Sequence, residues 1–259
     1  MSRLLERLRR AVRGEAPRPL GFGRPPADSG RVPPLVLVAR LADWDLDLVG
    51  GLRSAGFDLL VLPGRSEPPG PAELESLAGV TWGIDLTGPA AAGLAQAHFE
   101  AGADFVLIDP GAPAEILGRE GSTYLALTPD FPDSLLRSLD LLPVEGFWVR
   151  IGAARGLTVS ELLAFLKFAA VTRKPVVYEP GELPAPGELP ALRDAGVVAL
   201  AVPAVPARLA ELRRLSEAVA ELPRRRVPAG ERPAVTVPPT AAAAAPQVSA
   251  PEPDEDEEE

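Results

Sequence analysis

Eight short apolar runs alternate with helical or turn-rich stretches between residues 34 and 222. Strand-helix alternation of this kind implies parallel strands joined by right-handed crossovers, and eight units imply closure. The phrases "SAGFDLLVLP", "EAGADFVLID" and "DAGVVALAVP" repeat one joint: a helix end, a Gly stop and a buried strand. With 46% apolar residues in 259, the chain can bury one core of barrel size. These observations predict an α/β fold, a small (β/α)8 TIM barrel.

In order, the strands are expected at "PLVLVAR" (34–40), "DLLVLP" (58–63), "VTWGID" (80–85), "DFVLID" (104–109), "TYLALT" (123–128), "GFWVRI" (146–151), "PVVYE" (175–179) and "VVALAV" (197–202). Helical stretches follow near 45–55, 71–78, 89–101, 113–118, 133–140, 162–171, 187–195 and 205–222. The sixth is the best marked, because Thr158 and Glu161 form a capping box. The last shows Leu209, Leu212, Leu215, Val219 and Leu222 on one face.

The Gly-stopped joints resemble the "AGAD" joints of metabolic TIM barrels, the aldolase-like and phosphate-binding groups. The resemblance spans residues 34–222 and concerns architecture. It implies a site at the C-terminal ends of the strands and, by fold analogy, lyase or aldolase-like chemistry.

Outside the barrel the chain changes character. Residues 2–13 read as an amphipathic helix, with Leu4, Leu5, Leu8 and Val12 on one face and Arg on the other. This helix is expected to pack on its own domain or its partner rather than on a membrane. Residues 1–33 thus form a helix and an extended Gly/Pro/Arg linker, and 34–222 the barrel. Residues 223–259 are rich in Pro and Ala and end in "EPDEDEEE", so a disordered acidic tail is expected.

Composition narrows the chemistry. The chain has no Cys, one His (His98) and two Lys (Lys167 and Lys174). Disulfides, thiolate metal sites and multi-His zinc sites are excluded, as is a Ser-His-Asp triad unless His98 serves it. No Lys ends a strand, which argues against a Schiff-base aldolase. His98 is expected on a helix, as a helix-surface or packing residue. The net charge is −10, and an acidic body argues against nucleic acid as a partner. No apolar run is long enough to span a bilayer and no secretory signal is read, so the cytoplasm is expected. The scarcity of Lys, Asn, Gln and Met fits either a thermophile or a GC-rich genome.

Side chains alternate along a strand, and one register places Arg40, Asp85, Asp109, Arg150 and Glu179 inside, at the strand ends. Asp85, Asp109 and Glu179 are the candidate catalytic residues, as metal ligands for Mg²⁺ or Mn²⁺ or as a general acid or base. Arg40, Arg150, Arg155 and Thr128 are the candidate substrate-binding residues, with the guanidinium groups clamping an anion. The loops after strands seven and eight, "EPGELPAPGELP" and "VPAVPARL", lack the Gly-rich phosphate cradle of such barrels. "RIGAARGLTVSE" (150–161) is the alternative anion loop, with Gly152, Gly156 and Arg155 before a capped helix.

Two functions follow. One is an enzyme acting on a small anionic metabolite, using the carboxylates for chemistry and the arginines for binding. The other is a non-catalytic barrel, a binding or assembly protein whose charges close on one another as structural ion pairs. A homo-oligomer, or a protein partner met through the termini, is compatible with both.

Overall fold

The computed structural model describes residues 2–13, 33–88, 92–118, 121–151 and 156–223. Eight parallel strands close into a barrel in sequence order: β1 (Val36–Leu41), β2 (Leu59–Pro63), β3 (Thr81–Asp85), β4 (Phe105–Ile108), β5 (Ser122–Leu127), β6 (Gly146–Ile151), β7 (Val176–Pro180) and β8 (Val197–Ala204). Closure is made by β8 pairing with β1 over Val36–Leu41. Gly152, Arg155, the linker 14–32 and the tail 224–259, on which expectations were placed, lie outside the described residues.

Alternation along each strand sorts the core into two layers. Outward residues such as Leu60, Ile84, Val106, Phe147 and Leu200 join the layer beneath the helices. Inward residues form a second cluster that includes Val38, Val61, Phe105, Leu107, Tyr124, Trp148, Val177 and Ala201. Three aromatic rings fill the centre. Phe105 stacks on Trp148 at 6.1 Å, and Tyr124 meets both edge-on at 5.6 and 6.3 Å. Gly83 makes this possible, since a Cβ there would lie 2.5 Å from the Phe105 ring.

The outer ring is α2 (Leu48–Ser54), α3 (Pro71–Ser76), α4 (Ala92–Glu100), α5 (Asp133–Leu136), α6 (Val159–Val171), α7 (Leu189–Asp194) and α8 (Leu209–Glu221). Several are clipped, as the short stretches between strands imply. After β4 the described chain makes a single 3-10 turn, Ala114–Ile116, and the expected helix over 133–140 splits into α5 and a 3-10 turn at Leu139–Leu141. Pro113 and Pro132 each stand at the start of their segment, and Pro143 bars helix from continuing past the second 3-10 turn. By contrast α6 begins with the expected capping box, Thr158 Oγ1 accepting from the Glu161 N–H and Glu161 Oε2 from the Thr158 N–H.

The N-terminal helix α1 (Arg3–Arg13) stoppers the barrel. Leu4 and Leu8 are fully buried and belong to the interior cluster. Asp104, just before β4, accepts from the Ser2 hydroxyl and from the N–H groups of Arg3 and Leu4, satisfying the free donors of the helix start. Arg7 pairs with Asp58, just before β2. The bottom of the barrel is thus closed, and the mouth at the C-terminal ends of the strands is left for chemistry.

Candidate functional site

Four of the predicted residues meet at the mouth. Arg40 donates from Nη2 to Asp85 Oδ2 at 2.7 Å and lies 3.2 Å from Glu179 Oε1 through Nη1. Arg150 donates from Nη2 to the same Asp85 oxygen at 2.6 Å and from Nε to Glu179 Oε2 at 3.1 Å. Two cations and two anions therefore alternate in a closed ring contributed by β1, β3, β6 and β7. The Trp148 indole supports it from below, donating to Glu179 Oε2 at 2.6 Å. Thr87, just past β3, locks it from above. Its hydroxyl donates to Asp85 Oδ1 at 2.7 Å and accepts from Arg150 Nη1 at 2.8 Å.

The ring is neutral but uneven in exposure. The side chains of Asp85 and Glu179 are 7% and 10% exposed, whereas those of Arg40 and Arg150 are 38% and 24% exposed. The carboxylates are thus spent on holding two guanidinium groups whose outer edges reach the mouth. Burial alone would raise the Asp85 carboxyl, but Thr87, Arg150 and Arg40 outweigh it and hold it below the ordinary 3.8. Burial also opposes the charge on Arg40, and Glu179 and Asp85 reverse that effect, so its guanidinium is held more firmly protonated than usual.

Asp109 is not in the ring, which corrects the expectation of five charges at one level. The register explains it: Asp85 stands opposite Leu107, so Asp109 lies two residues further out, just past the end of β4. Two extended residues are about 6.6 Å of rise, one full layer higher. There its carboxylate accepts from the Gly88 N–H through one oxygen and from the Gly111 N–H at 2.7 Å through the other.

Asp109 instead borders a cavity of about 380 Å³ in the mouth, shared with Thr87, Gly88, Thr128, Phe131 and Arg150. Ala126 lines its floor and its small side chain leaves the space. Thr128 is exposed here. Thr87, Gly88 and Phe131 were not singled out from sequence. The signal available was the "LTG" run after β3, a hydroxyl and a flexible backbone in a βα loop; Gly88 has φ 114°, a conformation that favours glycine.

The expected Mg²⁺ or Mn²⁺ set of Asp85, Asp109 and Glu179 is not assembled. Two of the carboxylates are committed to guanidinium groups and the third stands a layer above. Among the described residues no three His, Cys, Asp or Glu side chains are grouped to hold a metal ion.

A second cluster shapes the loops beside the ring. Arg65 lies over the Trp44 ring at 3.6 Å and donates to Glu73 Oε1 at 2.8 Å. The Trp44 indole donates to the Pro63 carbonyl at 2.9 Å. His98, buried in α4, contacts the Arg65 carbonyl through Nε2 at 3.0 Å. The lone histidine is therefore a packing residue that pins the β2–α3 loop, as its helical position implied. A larger cavity of about 620 Å³ lies at the barrel bottom beside Ser2, Arg9, Glu100, Asp104 and Glu145. It borders the stopper helix, where Asp104 is already occupied as the cap, and it lies at the end opposite to the strand termini that build sites in this fold.

No protein-family model matches the chain, and no curated protein sequence matches it. Solved structures do. A single-residue mutant of the tryptophan synthase α-subunit from Pyrococcus furiosus superposes with a TM-score of 0.54 at 14% identity, covering 72% of this chain and 98% of that one. Tryptophan synthase from M. tuberculosis gives 0.54 at 13% identity, covering 72% and 92%. A 3-hexulose-6-phosphate synthase gives 0.53 at 18% identity, covering 71% and 99%. At such identities the likeness is one of fold. Sequential closed topology, inward and outward layering and these neighbours agree, and the chain is a TIM-barrel protein.

Proposed function

We propose that the chain is an enzyme acting on a small anionic metabolite bound in the mouth cavity. The observation that carries this reading is the placement of Arg150. It is anchored by Asp85, Glu179 and Thr87, yet it also lines the cavity that Asp109 borders. An anchored guanidinium loses little freedom on binding an anion, which favours a carboxylate or phosphate group at its outer edge. The exposed Thr128, whose hydroxyl also serves Asp130, stands at the same cavity. Phe131 and Pro110 offer an apolar wall, and about 380 Å³ suits a small molecule.

In this reading Asp85 and Glu179 position the arginines, and Asp109 is the carboxylate left to exchange a proton with the substrate. Its two backbone hydrogen bonds hold its orientation without neutralising it by an ion pair. A lyase-like reaction, in which one proton moves while a bound anion is clamped, is the chemistry this pair can serve. A cytoplasmic setting, where such metabolites are found, suits it.

A second reading has one specific observation in its favour. The ring closes on itself and spends both buried carboxylates, as a purely structural network would. The chain would then be a binding barrel without turnover.

A thermal-shift panel of inorganic phosphate and small mono- and dicarboxylates separates these readings. An anion at about a hundred times its Kd stabilises by about 2.7 kcal/mol, a Tm rise on the order of 5–10 °C for a domain of this size. The rise should shrink in Thr128→Val. Conversion of the bound anion that Asp109→Asn abolishes, with the Tm rise retained, marks the enzyme. Binding without conversion marks the second reading, and no shift with any anion at millimolar concentration refutes both.

A further inference from the structure

Among the described residues seven large apolar side chains are exposed, and five of them fall on α5, the 3-10 turn after it and α6. On α6, Val159, Leu163 and Leu166 are 73%, 61% and 46% exposed, and Ala170 continues the same stripe. Their spacing of four, three and four residues places them in one row along the helix. The opposite row, Glu161, Phe165 and Phe168, is buried on the barrel. A helix apolar on both faces is a helix meant to be covered on both. Leu135 and Leu141, 51% and 85% exposed, extend the patch sideways. Their segment lies against α6 at both ends: Pro129 and Asp130 share a groove of about 360 Å³ with Ser160, Leu163 and Lys167, and Asp140 accepts from the Thr172 hydroxyl.

We infer that this face is where a second copy of the chain docks, α6 against α6 across a twofold axis. Three properties favour a copy as the occupant. A row spaced four, three and four is the seam that self-pairing helices use, and a twofold axis brings the row onto itself. The five side chains leave on the order of 500 Å² of apolar surface in water; with the flanking helix surface this approaches the ~800 Å² that each partner of a standard interface buries. Finally, copies of a chain with net charge −10 repel one another, and they meet at least cost where carboxylates are few and offset; the exposed Asp130 beside the groove has Lys167 of α6 as its neighbouring cation. On α6 the acidic residue, Glu161, is buried and engaged with the Thr158 N–H, and the outward charge is Lys167.

Analytical ultracentrifugation of the full chain over a micromolar concentration series tests this. The wild type should sediment as a dimer, and Leu163→Glu with Leu166→Glu should weaken it by about tenfold or more, with circular dichroism unchanged. Because the chain has no cysteine, Leu163→Cys provides a single reporter thiol and a gentler substitution. A short bifunctional thiol reagent should join two Leu163→Cys chains and fail to join Val12→Cys chains, Val12 being exposed on α1. A monomer at every concentration overturns the inference. So does a dimer untouched by the glutamates, a cross-link that forms equally at position 12, or a monomer that floats with anionic vesicles through this face.

Discussion

Asp85 accepts from two guanidinium groups, a hydroxyl and a backbone N–H, so its removal leaves two half-buried cations sharing the Glu179 carboxylate. Asp85→Asn is expected to cost about 3 kcal/mol in urea unfolding, the low end for unpairing a buried ion pair because the arginines keep partial contact with water. The pH dependence should change with it. Folding lowers the Asp85 carboxyl below 3.8, so the unfolded chain binds the proton more readily in that window. The contribution is complete above the ordinary carboxylate range and is lost as pH falls through the lower folded value. Asp85→Asn should therefore flatten the wild type's Tm loss below about pH 4; an unchanged acid limb would contradict the ring. The inward phase of Arg40, Asp85, Arg150 and Glu179 was legible from alternation alone. The height of Asp109 was not, because phase repeats every two residues while register depends on the neighbouring strand. Leu107 opposite Asp85 settles it.

At the level of elements, α1 shows what local pattern does and does not say. Its apolar row at positions 4, 5 and 8 was readable, and so was its preference for packing. Its destination was not, because the carboxylates that receive it are distant in sequence: Asp104 stands 100 residues from Leu4, and Asp58 stands 51 from Arg7. The stopper predicts that Leu8→Ala, at a fully buried site shared by the helix and the barrel interior, costs about 2–4 kcal/mol by chemical denaturation. A loss below about 1 kcal/mol would mean that α1 rests on the barrel without filling it. The clipped outer elements follow the opposite logic. The spans between strands were legible as short helical stretches, but the break of the 133–140 stretch into α5 and a 3-10 turn was not. The stripe on α6 was likewise visible as letters, yet an apolar helix reads the same whether one face or both are buried.

For the molecule as a whole, eight strand-helix units were enough to derive closure, because parallel strands with right-handed crossovers and so many repeats leave few other arrangements. Function was less legible, since the five strand-end charges admit either a ring closed on itself or a ring open to a ligand. The structure divides them: four close, and Asp109 with the outer edge of Arg150 faces a cavity. A crystal structure grown with the anion giving the largest thermal shift checks that division. The anion should lie in the mouth, against Arg150 and Thr128 and beside Asp109, with the bonds from Arg40 and Arg150 to Asp85 and Glu179 intact. An anion seated in the cavity at the barrel bottom, or one that enters the mouth by breaking the ring and binding where Asp85 and Glu179 now hold the arginines, would contradict it.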